Sequence, residues 1–465
     1  MKKLLGINPT TEEIIWEYTA HTQKEIIEIV EKSHRAFHQW RKIPLKDRLE
    51  NIKNLAQNLR QNKRKYAELI TIEMGKPITE AIAEIEKCAL LCEFYYENSE
   101  EYLSPQTRKG ALNHAKENYV VFEPLGVILT IMPWNFPFWQ VLRFSIPTLI
   151  AGNTVILKHS PNVSRIALVL EKIMLESGMM ENVFRSILVH QDDVSEVTEL
   201  ILSMPQVQGV SVTGSVRAGK SVAQISGRYI KKSVLELGGS DPFIVLDDAN
   251  IEEAASTAAL ARCQNTGQSC IAAKRFIIMD SIYDKFMELF LQQMELYSQN
   301  IGDPLKETTR IGPIARRDLL ENIIHQVDEA VKKGAKVLLG GERPNIPKGF
   351  FYRVTVLENI HQDMPIYREE IFGPVAMVFR AKNLENALHL ANDTYFGLGV
   401  SIWTTDYKKV KNIMPELFFG NVFVNGMVKS DPGFPFGGVK ESGYGRELSL
   451  EGIREFTNIK TIRIY

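Results

Sequence analysis

Cysteine and net charge are both scarce in this sequence. Only four cysteines occur among 465 residues, too few for a disulfide scaffold in a chain of this length, so we expect a reducing compartment. The 55 basic and 56 acidic residues leave a formal charge of −1. The chain therefore lacks the global basic field that binds nucleic acid or an anionic membrane surface, and any recognition of charge must be local.

Long apolar runs are also missing. The longest stretch, residues 127–150, is interrupted by Pro133, Arg143 and Pro147, which excludes a membrane span. The amino-terminal apolar run ends at Asn8, short of the roughly 7–15 residues of a signal-peptide core. We therefore expect no export signal and a cytoplasmic protein.

What the sequence does contain is a series of short apolar strands that alternate with helices. The length allows about three domains. Strands are predicted at residues 127–132, 154–157, 186–189, 209–213 and 243–246. Helices are predicted between them at 164–177, 195–202 and 216–226. This alternation predicts a doubly wound α/β fold with a mostly parallel sheet, which binds a nucleotide or dinucleotide at the carboxyl ends of its strands.

A second α/β region is predicted after residue 247. Its helices are expected at 251–263, 282–299 and 317–333, and its strands at 275–279, 337–339, 354–357 and 375–380. The amino-terminal part instead predicts amphipathic helices at 22–40, 45–74 and 78–99. Cys88 and Cys92 lie four residues apart on the last of these, and we interpret them as small buried thiols rather than as metal ligands.

Two strand-like segments have no obvious partner in this scheme. Residues 113–122 alternate in polarity, and the tail at 448–465 ends with Ile462 and Ile464 alternating with polar residues. Such segments can pair across a subunit interface.

Three side chains have the chemistry of a covalent catalyst. Asn135 lies in a proline-flanked turn directly after a strand, where its amide can donate to an oxyanion, although asparagine is also common in such turns for structural reasons. Cys270 follows a polar, glycine-containing loop, which favours a nucleophile over a core thiol. Glu236 lies between two leucines before Gly238, so we expect a raised pKa and the role of a base, with a buried structural glutamate as the alternative.

A strand-to-helix turn offers a phosphate site. Gly214 and Ser215 end a strand, and Gly219 follows on the helix. Free N–H groups and a hydroxyl at this turn suit a pyrophosphate. Because the pattern departs from G-x-G-x-x-G, the interpretation that Ser215 only caps the helix is equally well supported. Lys158 ends an earlier strand and can reach a ribose or phosphate, unless it is only solvated. No cluster of metal-ligand spacing and no G-x-S-x-G elbow occurs.

Taken in order along the chain, these motifs resemble the NAD(P)-dependent aldehyde dehydrogenase superfamily. The segments LKHSPN at 157–162 and GSVRAG at 214–219 look most like a branch of bacterial succinate-semialdehyde dehydrogenases. The resemblance implies an aldehyde dehydrogenase fold with a Rossmann-like NAD(P)-binding domain at 1–105 and 124–238, an α/β catalytic domain at 239–441, and a β-strand oligomerisation arm at 106–123 and 445–465. It also implies a homodimer or homotetramer.

The resemblance implies the following roles. Cys270 attacks the aldehyde, the amide of Asn135 and the backbone N–H of Cys270 hold the oxyanion, and Glu236 activates the water that hydrolyses the thioester. Lys158 would contact the adenosine ribose, Ser215 the pyrophosphate and Glu370 the nicotinamide ribose, with Trp134 as a wall of the pocket. The full set implied for the cofactor is Trp134, Lys158, Ser160, Gly214, Ser215, Gly219, Leu237, Glu370 and Phe372.

The resemblance departs from NAD-preferring relatives at one position. Those usually carry a glutamate three residues after the equivalent of Lys158, where it binds the ribose 2′-hydroxyl, and this chain has Pro161 there. With no carboxylate to repel a 2′-phosphate, and with Ser160 nearby, we expect use of both NAD and NADP.

The substrate side of the resemblance points to an ω-carboxyl aldehyde such as succinate semialdehyde. Arg143 falls where such enzymes place an arginine that pairs with the distal carboxylate, although it can also be a surface arginine. Some relatives carry a second arginine six residues before the nucleophile, and this chain has Gln264 at that position. Ser430 matches a polar pocket position, and Phe436 completes the substrate set. A broad-specificity aliphatic or aromatic aldehyde dehydrogenase, a coenzyme A acylating enzyme and a catalytically silent homologue are the alternatives.

Overall fold

A computed structural model describes residues 2–110 and 115–465 of the chain. Its helices are α1 Gln23–Trp40, α2 Leu45–Gln61, α3 Lys63–Met74, α4 Ile78–Leu103, α5 Trp139–Ile150, α6 Ser164–Glu176, α7 Val194–Ser203, α8 Val216–Arg228, α9 Ile251–Cys263, α10 Tyr283–Ser298, α11 Arg317–Lys332, α12 Pro365–Arg368, α13 Leu384–Asn392, α14 Tyr407–Ile413 and α15 Ser449–Glu455. Its strands are β1 Lys3–Ile7, β2 Ile14–Thr19, β3 Gln106–Thr107, β4 Glu117–Pro124, β5 Val127–Met132, β6 Thr154–His159, β7 Phe184–Ile187, β8 Val207–Thr213, β9 Lys232–Glu236, β10 Asp241–Val245, β11 Ala273–Met279, β12 Lys336–Leu339, β13 Thr355–Glu358, β14 Val375–Ala381, β15 Gly399–Trp403, β16 Asn421–Val424, β17 Gly443–Tyr444 and β18 Thr457–Ile464.

The first large sheet has the strand order β17-β9-β8-β5-β6-β7. All its neighbouring strands run parallel except β17, which pairs antiparallel with β9. Every residue of β5 and β6 is buried, because helices cover both faces of the sheet and select near-continuous runs of valine, isoleucine and leucine. The predicted doubly wound α/β architecture is confirmed.

The second large sheet has the strand order β12-β13-β14-β11-β10-β15-β16. Only β12 runs antiparallel to its neighbour. Helix α9 has the bounds that the sequence predicts. Strands β9, β15 and β16 were not predicted, since each is at most five residues long and carries too few positions to show a period.

The carboxyl-terminal strand corrects one expectation. Strand β18 pairs antiparallel with β4 of the same chain along its whole length, from Thr457 opposite Pro124 to Ile464 opposite Glu117. The tail therefore has a partner within its own chain, so the expectation that it has none was wrong. Pairing of these segments across a subunit interface stays a prediction. Tertiary folding brings together segments more than 300 residues apart, which no local pattern reveals. Asn113 and His114 of the predicted segment lie outside the described residues.

Two further details differ in the amino-terminal region. The helix predicted over 45–74 is two helices that meet at Asn62, and β1 and β2 form an antiparallel hairpin that was not predicted. No helix in the described part of the chain has the length and apolar character that crossing a bilayer requires.

Candidate active site

The segment that carries Cys270 has an unusual backbone. It links α9 to β11, and Asn265, Thr266 and Gly267 take φ values of 52°, 55° and 73° in succession. Two consecutive non-glycine residues in the left-handed region are costly and persist only where the surroundings hold them. A Cβ at Gly267 would lie 2.4 Å from the carbonyl oxygen of Gly373, so this loop position has no room for a side chain.

Side-chain amides hold that backbone in place. The Nδ2 group of Asn265 donates to the carbonyl oxygens of Asn135 at 2.8 Å and of Gln268 at 3.1 Å. The Oε1 atom of Gln268 accepts from the N–H of Ala315 at 2.9 Å. The loop is thereby tied to the turn after β5, and the two predicted site segments form one hydrogen-bonded unit.

Cys270 differs from the other cysteines in its exposure. It is partly exposed, whereas Cys88, Cys92 and Cys263 are fully buried, which confirms the interpretation of Cys88 and Cys92 as core thiols. Burial raises the pKa of the Cys270 thiol to about 12, although the positive charges of Lys274 and Arg143 lower it. The thiol is therefore neutral near pH 7 and must give up its proton before it can act as a nucleophile.

Asn135 lies at the carboxyl edge of the first sheet, beyond the end of β5. Its Nδ2 atom donates to the carbonyl oxygen of Gln268 at 3.1 Å, two residues before Cys270. The start of the following helix is held by Glu84, whose Oε1 accepts from the N–H groups of Phe138 at 2.9 Å and Trp139 at 3.0 Å. An amide carries two N–H groups, so Asn135 keeps one for a further acceptor.

Glu236 ends β9 and is 2% exposed. Burial raises the pKa of its carboxyl well above the ordinary range, with Arg143 opposing and Glu447 adding to the shift, which confirms the raised pKa that its apolar neighbours predict. Its Oε1 atom has no hydrogen-bond partner among the described residues. Its side chain lines neither of the two cavities described next, so Glu236 lies beside the site rather than inside it.

The first cavity, of about 380 Å³, lies at the carboxyl edge of the first sheet; we name it the cofactor cavity. The predicted cofactor residues that line it are Trp134, Lys158, Ser160, Gly214, Ser215, Leu237, Glu370 and Phe372. Gly219 does not line it. A Cβ at Gly219 would lie 2.4 Å from the side chain of Leu237, so this glycine permits close packing of α8 under the cavity rather than contact with a ligand.

Two cations line the cofactor cavity, Lys158 and Arg316, and Lys158 has no partner among the described residues. Lys158 is 8% exposed, so the alternative of a solvated lysine was wrong. No hydrogen bond or ion pair to it is found among the described residues, and burial lowers the pKa of its ammonium to about 8. The hydroxyl of Ser160 donates to Asn162 at 2.7 Å. Ser215 caps α8 by accepting from the N–H of Ala218 at 3.3 Å, which confirms the interpretation that Ser215 caps this helix.

Glu370 is held from two sides. Its Oε1 accepts from the N–H of Gly239 at 3.0 Å and lies 3.6 Å from the Nζ atom of Lys274. Lys274 also donates to the carbonyl oxygens of Ser269 and Cys270 at 2.9 and 2.8 Å. One lysine therefore connects the nucleophile loop to the carboxylate predicted to hold a ribose.

The second cavity, of about 400 Å³, opens on the other side of Cys270; we name it the substrate cavity. All four predicted substrate residues line it: Arg143, Gln264, Ser430 and Phe436. Arg143 is 3% exposed, so the alternative of a surface arginine was wrong. Its guanidinium forms an ion pair with Glu447 and lies 4.9 Å from the ring centroid of Phe436.

Several lining residues were missed. Gln140 was not predicted and lines both cavities, as Cys270 does, and Thr213, Arg316 and Leu319 line the cofactor cavity. Gln140 lies on the first turn of α5, five residues after Asn135, and no spacing rule indicated it. Lys87 lines the substrate cavity and is adjacent in sequence to Cys88. Among the described residues, no group of three or more histidine, cysteine, aspartate or glutamate side chains gathers to hold a metal ion.

Comparison with known proteins places this geometry in context. The model of the aldehyde dehydrogenase family matches residues 2–462. The probable succinate-semialdehyde dehydrogenase (NADP(+)) of Synechocystis is 43% identical over 458 residues, 98% of this chain and 99% of that protein. Succinate-semialdehyde dehydrogenase (NADP(+)) 1 of Mycobacterium tuberculosis is 44% identical with the same coverage. The crystal structure of succinic semialdehyde dehydrogenase from Streptococcus pyogenes with NADP+ matches with a TM-score of 0.94, 35% identity and 99% of each chain.

Proposed function

Because the chain belongs to the aldehyde dehydrogenase family, we propose that it oxidises succinate semialdehyde to succinate, using NADP+ and also NAD+ as the hydride acceptor. The general reaction is the oxidation of an aldehyde to a carboxylic acid. The proposal concerns the identity of the aldehyde, the choice of cofactor and the roles of individual residues.

One observation carries the proposal. Cys270 lines both cavities, and each cavity is also lined by a buried or half-buried cation. A nucleophile that opens on two cavities can hold a substrate carbon in one while a hydride acceptor occupies the other, which is the arrangement that covalent aldehyde oxidation requires.

The residues of the cofactor cavity fit a phosphorylated dinucleotide. A buried ammonium without an anionic partner is expensive, and Lys158 becomes paired if a ribose 2′-phosphate lies beside it. Pro161 supplies no carboxylate to repel that phosphate. The N-terminus of α8 offers N–H groups to a pyrophosphate at Gly214 and Ser215, and Glu370 can accept hydrogen bonds from the nicotinamide ribose. When bound, the oxidised nicotinamide accepts a hydride.

In the first step the Cys270 sulfur forms a bond to the aldehyde carbon, and the thiol proton leaves to a base. Because the pKa of the thiol is raised, a base must take this proton before the sulfur can attack. The carbonyl oxygen becomes an oxyanion, which the free N–H of Asn135 and the backbone N–H of Cys270 stabilise. Donors that are already fixed in the loop need no reorganisation at this step.

In the second step the thiohemiacetal loses a hydride and becomes a thioester on Cys270. Glu236 then takes a proton from the attacking water, the carbon–sulfur bond breaks, and the thiolate regains a proton as the acid leaves. Since Glu236 lines neither cavity, the proposal requires its carboxylate to turn toward Cys270 during hydrolysis. A resident carboxylate base favours water over coenzyme A as the acyl acceptor.

Steady-state kinetics test the substrate and cofactor assignments. The formation of NADPH or NADH is measured with succinate semialdehyde, glutarate semialdehyde, butanal and benzaldehyde. We expect the largest kcat/KM with succinate semialdehyde and NADP+. Equal values for butanal would support the broad-specificity alternative instead, and a preference of about 1,000-fold for NAD+, some 4 kcal/mol, would contradict the cofactor assignment.

We further propose that the predicted domains at 1–105 with 124–238 and at 239–441 are folding units and that 106–123 and 445–465 form an oligomerisation arm. Exposed apolar side chains on β18, such as Ile459 and Ile464, support an interface that makes a homodimer or homotetramer. Light scattering of the purified protein, compared with an Ile459→Lys variant, tests the arm.

We also propose a cytoplasmic location, which would keep Cys270 reduced.

A further inference from the structure

Three cations line the substrate cavity: Lys87, Arg143 and Lys429. Lys429 is exposed, and the charges of the other two are balanced differently. Arg143 forms an ion pair with Glu447, and both side chains are almost fully buried. A paired guanidinium keeps hydrogen-bond donors, but its net charge is compensated within the protein. Arg143 alone therefore provides little net attraction for a second carboxylate.

Lys87 is the second of these two cations. It lies on α4 and is half-buried. Its Nζ atom donates to the hydroxyl of Ser430 at 2.8 Å and lies 4.0 Å from the ring centroid of Trp139. Within residues 2–110 and 115–465, no carboxylate lies within ion-pair distance of it.

We propose that Lys87, together with Ser430, binds the ω-carboxylate of the aldehyde and determines the preference for ω-carboxyl aldehydes. This inference rests on the proposed function, in which such an aldehyde is the substrate. The two groups come from distant parts of the chain, and both point into the cavity that Cys270 lines. The carboxylate supplies the missing counter-charge, and the Ser430 hydroxyl donates to its second oxygen.

Trp139 holds the lysine in position for this task. An ammonium over an indole face is stabilised by the ring quadrupole, and unlike a carboxylate partner the indole does not neutralise the charge. The lysine is therefore oriented while its charge stays available. Such an arrangement discriminates by charge, because an aldehyde of the same length without a carboxylate leaves the ammonium unpaired.

The electrostatic surroundings support the assignment. Burial and the nearby charge of Arg143 lower the pKa of the Lys87 ammonium to about 8, and Cys88, Asp431 and Glu84 raise it only in part. Because its charge is lost as pH rises through this value, KM for succinate semialdehyde should rise above about pH 8, while KM for butanal should show no such rise. A Lys87→Arg variant should move that rise to higher pH, since guanidinium stays charged.

The decisive experiment compares Lys87→Met with Lys87→Arg. For Lys87→Met we expect kcat/KM for succinate semialdehyde to fall about 10- to 100-fold, mainly through KM, while the value for butanal stays close to wild type. Lys87→Arg should retain most of the preference. Inhibition by succinate, which needs no turnover, should weaken in Lys87→Met by a similar factor. Lys172→Met, which removes an exposed lysine on α6, is the matched control and should change none of these values.

The outcomes separate this inference from the proposed function. If wild-type enzyme prefers succinate semialdehyde and Lys87→Met keeps that preference, the role of Lys87 is overturned and the function stands. If wild-type enzyme shows no preference for an ω-carboxylate, the proposed substrate itself fails. Equal losses of kcat with both aldehydes in Lys87→Met and in Lys87→Arg would show a structural role and would also overturn the inference.

Discussion

The two cavities that share Cys270 differ in whether a carboxylate of the protein pairs with their buried cation. In the cofactor cavity, Lys158 is buried with no anionic partner among the described residues. In the substrate cavity, Arg143 is equally buried but is paired with Glu447. Both residues occupy positions where the sequence predicts an anion-binding cation. The difference teaches that a cation at the right position binds a ligand by charge only where the protein has not already neutralised it.

The largest expected effect comes from the residue that both cavities share. Cys270→Ser should reduce kcat by at least about 10⁴-fold with every aldehyde and with either cofactor, because a hydroxyl is a far weaker nucleophile without a matched base. Activity is followed by NADPH absorbance. Cys92→Ala, which alters a fully buried thiol outside both cavities, should lower thermal stability but keep activity. Residual turnover of Cys270→Ser near wild type would exclude the covalent route.

Glu236→Gln should lower kcat by about 10²- to 10⁴-fold and should leave a burst of one NADPH per active site, since hydride transfer precedes hydrolysis. The pKa of Glu236 is raised by burial, and its base form is the deprotonated one. Wild-type kcat should therefore increase with pH as this carboxyl loses its proton, at higher pH than an ordinary glutamate does, and this dependence should be lost in the variant. A variant without a burst would place Glu236 in the first step instead.

Arg143→Met should mainly reduce stability. It leaves Glu447 as a buried carboxylate without its counter-charge, which costs about 3–5 kcal/mol in the free energy of unfolding. The double variant Arg143→Met/Glu447→Gln should recover much of that loss, as measured by urea unfolding. If KM for succinate semialdehyde rises strongly in the stable double variant as well, Arg143 contributes directly to carboxylate binding. An unchanged KM would leave that role to Lys87.

Lys158→Met should have the smallest and most selective effect. Loss of one charge-assisted contact should raise KM for NADP+ by about 10- to 100-fold, with little change for NAD+, which lacks the 2′-phosphate. Stability should not fall, because removing a buried ammonium without a partner also removes its desolvation cost. Equal changes for both cofactors would mean that Lys158 contacts a part that they share.

Much of the fold could be predicted because it follows from local pattern. Strands such as β5 and β14 are mainly apolar, and helix α9 begins at an asparagine cap and ends before a polar loop. The cofactor residues follow strand ends, and parallel strand ends meet at one edge of the sheet. For that reason Lys158, Gly214 and Ser215 were predicted together and line one cavity.

The parts that could not be predicted depend on contacts between distant segments. The pairing of β18 with β4, the ion pair of Arg143 with Glu447 and the contact of Lys87 with Ser430 each join residues more than 300 positions apart. No spacing rule connects such positions.

The sequence by itself determined the fold class, and it predicted the edge of the sheet at which a cofactor would bind and the candidate nucleophile, because strand periodicity and short motifs are local properties. The tertiary structure decided which of the cationic side chains in the two cavities keep a charge that an anionic ligand can pair with. Whether Arg143, Lys158 or Lys87 can attract an anion depends on which carboxylates lie within a few ångströms of it, and that is a consequence of how the whole chain packs.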